Sequence, residues 1–239
     1  MKPILSILLI VLFSVFISCE KETIDKPSNQ GLLKRKLEYR SIQDTIPRSI
    51  SDYEYDWKRR LVKIQDLHSS QLFEYNQKDQ LIRKFSYVID ESGSSLRDTT
   101  WYKYQNGKLV YEESIPLPPS DFTYTYQIKY EYENSKLVKK KEYQDHQFRG
   151  MIVYEYKNDL LITEINYIDS LRTDYYTRKD YAYDENNQLG VSTLRNVAGW
   201  ILQAGYYFYD DHGNLVFEYG DQLAEVAGVF IFCNRYEYY

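Results

Sequence analysis

One motif recurs through most of the chain: two aromatic residues separated by one residue, four or five polar residues, and then Leu. Its second aromatic residue stands at positions 55, 75, 104, 132, 156, 183 and 209, so consecutive copies are 20 to 29 residues apart. A truncated eighth copy is Tyr236-Glu237-Tyr238, and the copies hold 15 of the 27 Tyr. Self-similarity at such a period is typical of a repeat architecture.

The residues between the aromatic pair and Leu have the chemistry of tight hairpin turns. Three copies carry Asn106-Gly107, Asn134-Ser135 or Asn158-Asp159 at the centre, which favours a two-residue type I′ turn. The other four copies have one residue more, which predicts three-residue loops ending in a left-handed residue. Those residues are Arg59, Asp79, Asn187 and Gly213. Both loop lengths place Tyr opposite Leu, as in Tyr104 with Leu109.

Seven consecutive hairpins and the truncated eighth copy predict an all-β fold: an antiparallel meander of about 14 to 16 strands. So many strands do not form a flat sheet, so we expect an open shell, a trough or a barrel-like sheet. Side chains alternate along a strand, so both aromatic residues of a copy share one face and the middle residue points away. We expect the apolar face to continue six residues past each Leu, for example to Ile115 and Tyr143.

Composition and motifs exclude several classes of function. The hydrophobic content of 43% allows a core, and the net charge of −5 argues against nucleic-acid binding. No spacing resembles a catalytic motif, and His68, His146 and His212 suit solvated turns. We therefore predict no enzymatic activity, no catalytic residue, no cofactor and no metal. Cys233 follows an apolar run and is expected to be a small buried residue.

The N-terminal segment has the features of an export signal. Lys2 precedes an apolar run of about fourteen residues, shorter than the roughly 20 that a spanning helix needs. Its end, Phe16-Ile17-Ser18-Cys19, resembles the lipobox of bacterial lipoproteins. That resemblance implies lipidation of Cys19 and cleavage before it. We predict a signal peptide over 1–18, a lipidated tether over 19–31 and a β-repeat domain over 32–239. An uncleaved anchor with an incidental Cys is the alternative.

Two copies of the motif resemble the YD repeat of the Rhs family. The segment from Tyr207 to Leu215, YFYDDHGNL, has its pattern Tyr-x-Tyr-Asp-x-x-Gly-Asn-Leu, and YAYDENNQL from Tyr181 has Asn187 in place of Gly. The other copies are degenerate. The resemblance covers about 185 residues and implies an antiparallel β shell with a scaffold or carrier role.

Together these patterns predict a cell-envelope protein, anchored by lipid in an outer membrane, that acts as a non-enzymatic scaffold or interaction module. Its partners would be the membrane and a protein or glycan. An alternative is a surface glycan- or peptide-binding lipoprotein that uses Trp57, Trp101 and Trp200. An integral outer-membrane barrel is disfavoured because Lys139 and Lys141 are expected to share a face with Leu137, and such charges are costly in lipid.

Overall fold

The computed structural model describes residues 31–117, 124–168, 171, 175–222 and 230–239. The regular secondary structure in these ranges consists entirely of β-strands. The strands are β1 (Leu33–Glu38), β2 (Ser49–Tyr55), β3 (Leu61–Gln65), β4 (Ser69–Tyr75), β5 (Leu81–Asp90), β6 (Gly93–Gln105), β7 (Lys108–Pro116), β8 (Tyr126–Glu133), β9 (Lys136–Gln144), β10 (Gln147–Lys157), β11 (Leu160–Tyr167), β12 (Tyr175–Tyr183), β13 (Leu189–Asn196), β14 (Ile201–Tyr209), β15 (Leu215–Gln222) and β16 (Phe230–Tyr238).

These 16 strands form a closed antiparallel barrel in which each strand pairs with its neighbours in sequence. The barrel closes where β1 pairs with β16, with Leu37 opposite Arg235. The predicted all-β meander of 14 to 16 strands is therefore confirmed, and the sheet is a complete barrel. Closure leaves no strand edge unpaired, which removes a site for edge-to-edge aggregation.

The turns between the paired motif strands adopt the predicted geometry. Asn106 and Gly107 have φ of 50° and 79°, as a type I′ turn requires. The last residue of each three-residue loop also has positive φ, including Arg59 at 64°, although Arg has no special tolerance for this conformation. The geometry of the three-residue hairpin loop therefore outweighs the preference of Arg59 for negative φ.

The three-residue loops are also stabilised by hydrogen bonds to the side chain of the residue that follows the second Tyr. Asp210 Oδ1 accepts hydrogen bonds from the backbone N–H groups of His212 and Asn214, at 2.9 and 2.8 Å. The same pair of bonds is made by Asp56, Asn76 and Asp184. Copies with two-residue turns have Gln105, Glu133 or Lys157 at this place. The Asp of the motif therefore serves the longer loop.

A β-bulge lies in every one of the seven motif hairpins, directly after Leu. Tyr104 pairs with Leu109 and Lys103 pairs with Tyr111, so Val110 has no partner. The corresponding residues elsewhere are Val62, Ile82, Val138, Ile162, Gly190 and Val216. The bulge exchanges the two faces for the rest of the strand.

Two expectations are wrong because of these bulges. The residues six past Leu lie on the face opposite to Leu, and Ile115, for example, pairs with Thr99 and is 39% exposed. Likewise Lys139 pairs with Glu131 rather than sharing the face of Tyr132 and Leu137. The expected inward and outward alternation took no account of the bulge residue. The side chains that follow each Leu therefore lie on the opposite face from the one predicted.

The face that carries the motif tyrosines is the inner wall of the barrel. The exposed residues in the middle of the strands lie on the other face, and they include Glu54, Leu72, Trp101, Lys103, Lys129, Glu155, Arg178 and Phe208. In addition, the Glu164 carboxylate on β11 interacts with the Tyr207 phenol on β14. These strands are roughly 14 Å apart along the sheet, so their side chains must converge, as they do on a concave surface.

Candidate functional site

A belt of aromatic rings crosses the inner wall, one ring on each even-numbered strand. We call it the tyrosine belt. It consists of the first aromatic residue of each copy: Tyr53, Phe73, Tyr102, Tyr130, Tyr154, Tyr181, Tyr207 and Tyr236. The sequence places them there because the motif repeats once per hairpin.

The bulge brings a second set of residues into the belt, three positions past each Leu. Glu112 pairs with Tyr102, Glu164 with Tyr154 and Glu218 with Tyr207 in the backbone register. The odd-numbered strands together contribute Lys36, Ile64, Lys84, Glu112, Lys140, Glu164, Ser192 and Glu218. Sequence reasoning missed this set because it did not include the bulge.

The carboxylates in this set link one repeat to the next. Tyr236 Oη donates a hydrogen bond to Glu218 Oε1 at 2.6 Å, and Asn234 Nδ2 donates to the same oxygen at 2.8 Å. Tyr130 and Tyr181 donate in the same way to the glutamates of their preceding copies. Where the belt ring is Phe73, the corresponding residue is Ile64, which can pack but not accept a hydrogen bond. At Tyr130, Tyr181 and Tyr236 the preceding copy therefore supplies a carboxylate acceptor for the phenol.

The electrostatics keep the phenols protonated. Burial and the neighbouring Glu112 carboxylate together raise the pKa of Tyr102 to about 12. Burial and Glu164 raise the pKa of Tyr154 to about 12. Burial and a bonded glutamate also place the pKa of Tyr181 well above its ordinary value. Neutral phenols can donate hydrogen bonds and pack, but they cannot act as general bases near pH 7.

The second Tyr of several copies forms another inter-repeat link near the rim. Tyr75 Oη donates to the carbonyl oxygen of Leu61 at 2.7 Å, and Tyr238 Oη donates to that of Leu215 at 2.8 Å. Tyr156 and Tyr183 make equivalent bonds to Leu137 and Leu161. In each case the acceptor is the Leu of the preceding copy. Both tyrosines of the motif therefore hold adjacent hairpins together.

Charged pairs lie on the outer wall, some beside the motif turns and others in the middle of the strands. Lys63 contacts Glu54 at 3.1 Å, and Lys139 and Lys141 both contact Glu131, at 2.8 and 2.5 Å. Further pairs join Arg83 to Glu74 and Arg178 to Asp180. A lipid-facing wall would have to be apolar at the level of Arg178 and Asp180, in the middle of β12, since Lys or Arg at a bilayer midplane costs about 2–4 kcal/mol each.

The three Trp lie far from one another. Trp57 is 62% exposed in the first motif turn, and Trp200 is 69% exposed in a turn at the opposite rim. Trp101 lies on the outer wall, where the Arg83 guanidinium is 4.7 Å from its ring centroid. The structure therefore does not unite the three residues that the sequence offered as a binding site.

An aromatic patch on the outer wall was missed by the sequence reasoning. It comprises Tyr206, Phe208, Phe217 and Tyr219 on β14 and β15, where Tyr206 stacks on Tyr219 with ring centroids 4.8 Å apart. Phe208 is 47% exposed. A signal was present in the sequence, since the middle residue of this copy is Phe where five copies have Glu or Lys.

The remaining predicted features divide into those seen and those outside the described residues. Cys233 is fully buried, as expected, and burial raises the pKa of its thiol. Within the described residues, no group of three His, Cys, Asp or Glu side chains could hold a metal ion. In the same part of the chain, no helix is long and apolar enough to cross a membrane. Cys19, the predicted signal peptide over 1–18 and most of the tether lie outside the described residues.

Comparison with solved structures identifies a similar barrel. A porin-like protein from Bacteroides uniformis is 13% identical, with a TM-score of 0.52, over 88% of this chain and 99% of that chain. The chain shares its fold. A porin-like protein from Bacteroides vulgatus is 8% identical, over 87% of this chain and 98% of that chain, with a TM-score of 0.38.

A toxin assembly, TcdB2-TccC3, aligns with 72% of this chain at 13% identity and a TM-score of 0.25, and the alignment spans only 11% of that chain. TM-scores below 0.5 do not establish a shared fold. No family model and no curated protein sequence matches the chain.

Proposed function

We propose that this protein is a lipid-anchored cell-envelope β-barrel that stands in water beside an outer membrane and acts as a non-enzymatic scaffold or interaction module. The observation that carries the proposal is the outer wall, where ion pairs such as Arg178 with Asp180 and Lys139 with Glu131 are incompatible with lipid contact. A barrel of this kind needs a separate attachment to a membrane, and the lipobox-like segment ending at Cys19 would supply it.

The interior supports a structural rather than catalytic role. The tyrosine belt contains neutral phenols, and three of them, Tyr130, Tyr181 and Tyr236, donate to glutamates of the neighbouring repeat. Its hydrogen bonds join one repeat to the next, which suits the rigid shell that the YD-like pattern implies. The outer wall is then the surface left for partners.

The lipid attachment is tested by replacing Cys19 in the full chain. We expect Cys19→Ala to accumulate as unprocessed precursor without palmitate labelling, whereas Cys233→Ala is processed and labelled normally. Normal processing and labelling of Cys19→Ala would refute the attachment. The barrel's position is tested separately with a fragment of residues 20–239, which we expect to be soluble without detergent. A fragment that requires detergent would indicate an integral barrel.

Binding of a glycan or peptide is a second candidate, and the aromatic patch favours it. Phe208 is 47% exposed within a wall that is otherwise largely charged, and exposed aromatic side chains frequently contribute to recognition. Glycan and peptide arrays probed with the 20–239 fragment test this function. Binding that is lost in Phe208→Ser but kept in Trp200→Ala supports it, and blank arrays count against it.

A further inference from the structure

We propose that one sector of the motif-turn rim docks on the surface of an anionic bilayer. We call this sector the tether rim, and define it as residues 31–34, the turns 56–60 and 76–80, and Tyr239. The orientation rests on the proposed lipid attachment, whereas the affinity of the tether rim for the bilayer is a property of the barrel alone.

The chain enters the barrel at this rim. Gly31 N–H donates to the carbonyl oxygen of Tyr239 at 3.3 Å, and Tyr239 N–H donates to that of Leu32 at 3.0 Å. The Tyr239 ring lies edge-to-face against Tyr55, with centroids 6.4 Å apart, at the strand end that leads into the first turn. Gly31, Tyr239 and the turn 56–60 are therefore neighbours.

The length of the preceding segment keeps this rim close to a membrane. Eleven residues separate Cys19 from Gly31, and even fully extended they span only about 40 Å. A barrel held through Cys19 thus has the tether rim, where the chain enters, within about 40 Å of the membrane. The opposite rim, with Trp200, lies a strand length farther away.

The side chains of the tether rim suit a membrane interface. Trp57 is 62% exposed and Tyr239 is 46% exposed, and both residue types are enriched at the headgroup level of bilayers. Lys58 Nζ lies 5.4 Å from the Trp57 ring centroid, and Lys34 Nζ lies 5.9 Å from that of Tyr239. Each exposed ring therefore has a basic group beside it.

The charge of this sector is opposite to that of the whole chain. It holds five basic residues, Lys34, Lys58, Arg59, Arg60 and Lys78, against the two acidic residues Asp56 and Asp79, in a chain of net charge −5. Asp79 is already engaged by Lys58 and Arg60, at 2.9 and 2.6 Å. On its β16 side this sector borders the turn 210–214, which carries Asp210 and Asp211, so the basic sector ends there. Electrostatic attraction to anionic headgroups would therefore turn the tether rim toward the bilayer.

Vesicle binding by the 20–239 fragment tests the proposal. This fragment contains all 16 strands and the β1–β16 pairing that closes the barrel, and a far-UV CD spectrum verifies that each variant is folded. We expect binding to vesicles containing phosphatidylglycerol, weaker binding to pure phosphatidylcholine, and a blue shift of Trp emission on binding. Absence of binding to the anionic vesicles would overturn the proposal.

Matched variants assign the binding to the tether rim. We expect Trp57→Ala to weaken partitioning roughly tenfold, while Trp200→Ala at the opposite rim changes it less than twofold. Lys78→Glu should weaken it at least about fivefold, while Lys129→Glu on the outer wall has a smaller effect. Equal effects within either pair would refute the assignment. Because the fragment lacks Cys19, these results do not depend on lipidation, and normal processing of Cys19→Ala would refute only the anchor.

Discussion

The hydrogen bond from Tyr236 to Glu218 allows a sharp test of the tyrosine belt. Tyr236→Phe removes one hydroxyl and preserves the ring, so packing on the inner wall is little changed. The donor lies 2.6 Å from Glu218 Oε1, which also accepts from Asn234 at 2.8 Å. A hydrogen bond to a charged group contributes about 1.5–3 kcal/mol. Because Glu218 keeps its bond from Asn234, we expect a loss near the lower end, about 1.5–2 kcal/mol.

Tyr53 provides the matched control for this substitution. It occupies the equivalent belt position on β2 and is half-buried, and among the described residues its hydroxyl has no hydrogen-bond partner. Tyr53→Phe should therefore change the free energy of unfolding by less than about 0.5 kcal/mol.

Urea unfolding of the 20–239 fragment at pH 7, followed by far-UV CD, measures both variants. We expect a lower midpoint for Tyr236→Phe with an unchanged slope, since the slope reports the surface exposed on unfolding. If the two variants lost the same stability within about 0.5 kcal/mol, the belt hydrogen bonds would contribute nothing beyond ring packing, which would refute their role in joining the repeats.

Three further outcomes follow from the structure. Asp210→Ala should cost about 1–2 kcal/mol in urea unfolding because it removes the acceptor for two backbone N–H groups, whereas Asp210→Asn should retain most of that stability. Hydrogen bonds from Asn214 lower the pKa of Asp210. Burial alone would raise the pKa of Asp56, but hydrogen bonds from Arg60 outweigh it and lower that pKa. The unfolded chain therefore binds more protons, and stability should be constant above about pH 5 and fall as the pH drops through 4 toward 3, which urea midpoints at each pH would show. Cys233 should react with a thiol reagent only when the barrel unfolds, and rapid labelling of the folded fragment at pH 8 would contradict its burial.

The local features of the hairpins were readable from sequence because they depend on neighbours within a few residues. Asn106-Gly107 indicates a type I′ turn wherever it stands between two strands, and the count of residues between Tyr209 and Leu215 fixes their pairing. The all-β class and the strand number follow from repetition of that unit.

The face assignments beyond Leu could not be read in the same way. Val138 looks like an ordinary strand residue, and only its partner strand shows that it is an extra residue in the ladder. Its effect is large because one inserted residue moves Lys139 to the outer wall and Lys140 to the inner wall. The inner carboxylates, including Glu164 and Glu218, were hidden for this reason.

The sequence by itself determined the repeat, the turns, the Tyr–Leu pairs and the all-β class, since each depends on short-range backbone geometry. Only the tertiary structure decided that the meander closes, because Leu37 and Arg235 meet across nearly the whole chain. Closure in turn distinguishes an inside from an outside. It places neutral phenols in the belt and ion pairs on the outer wall, and it sets Trp57 and Trp200 at opposite rims.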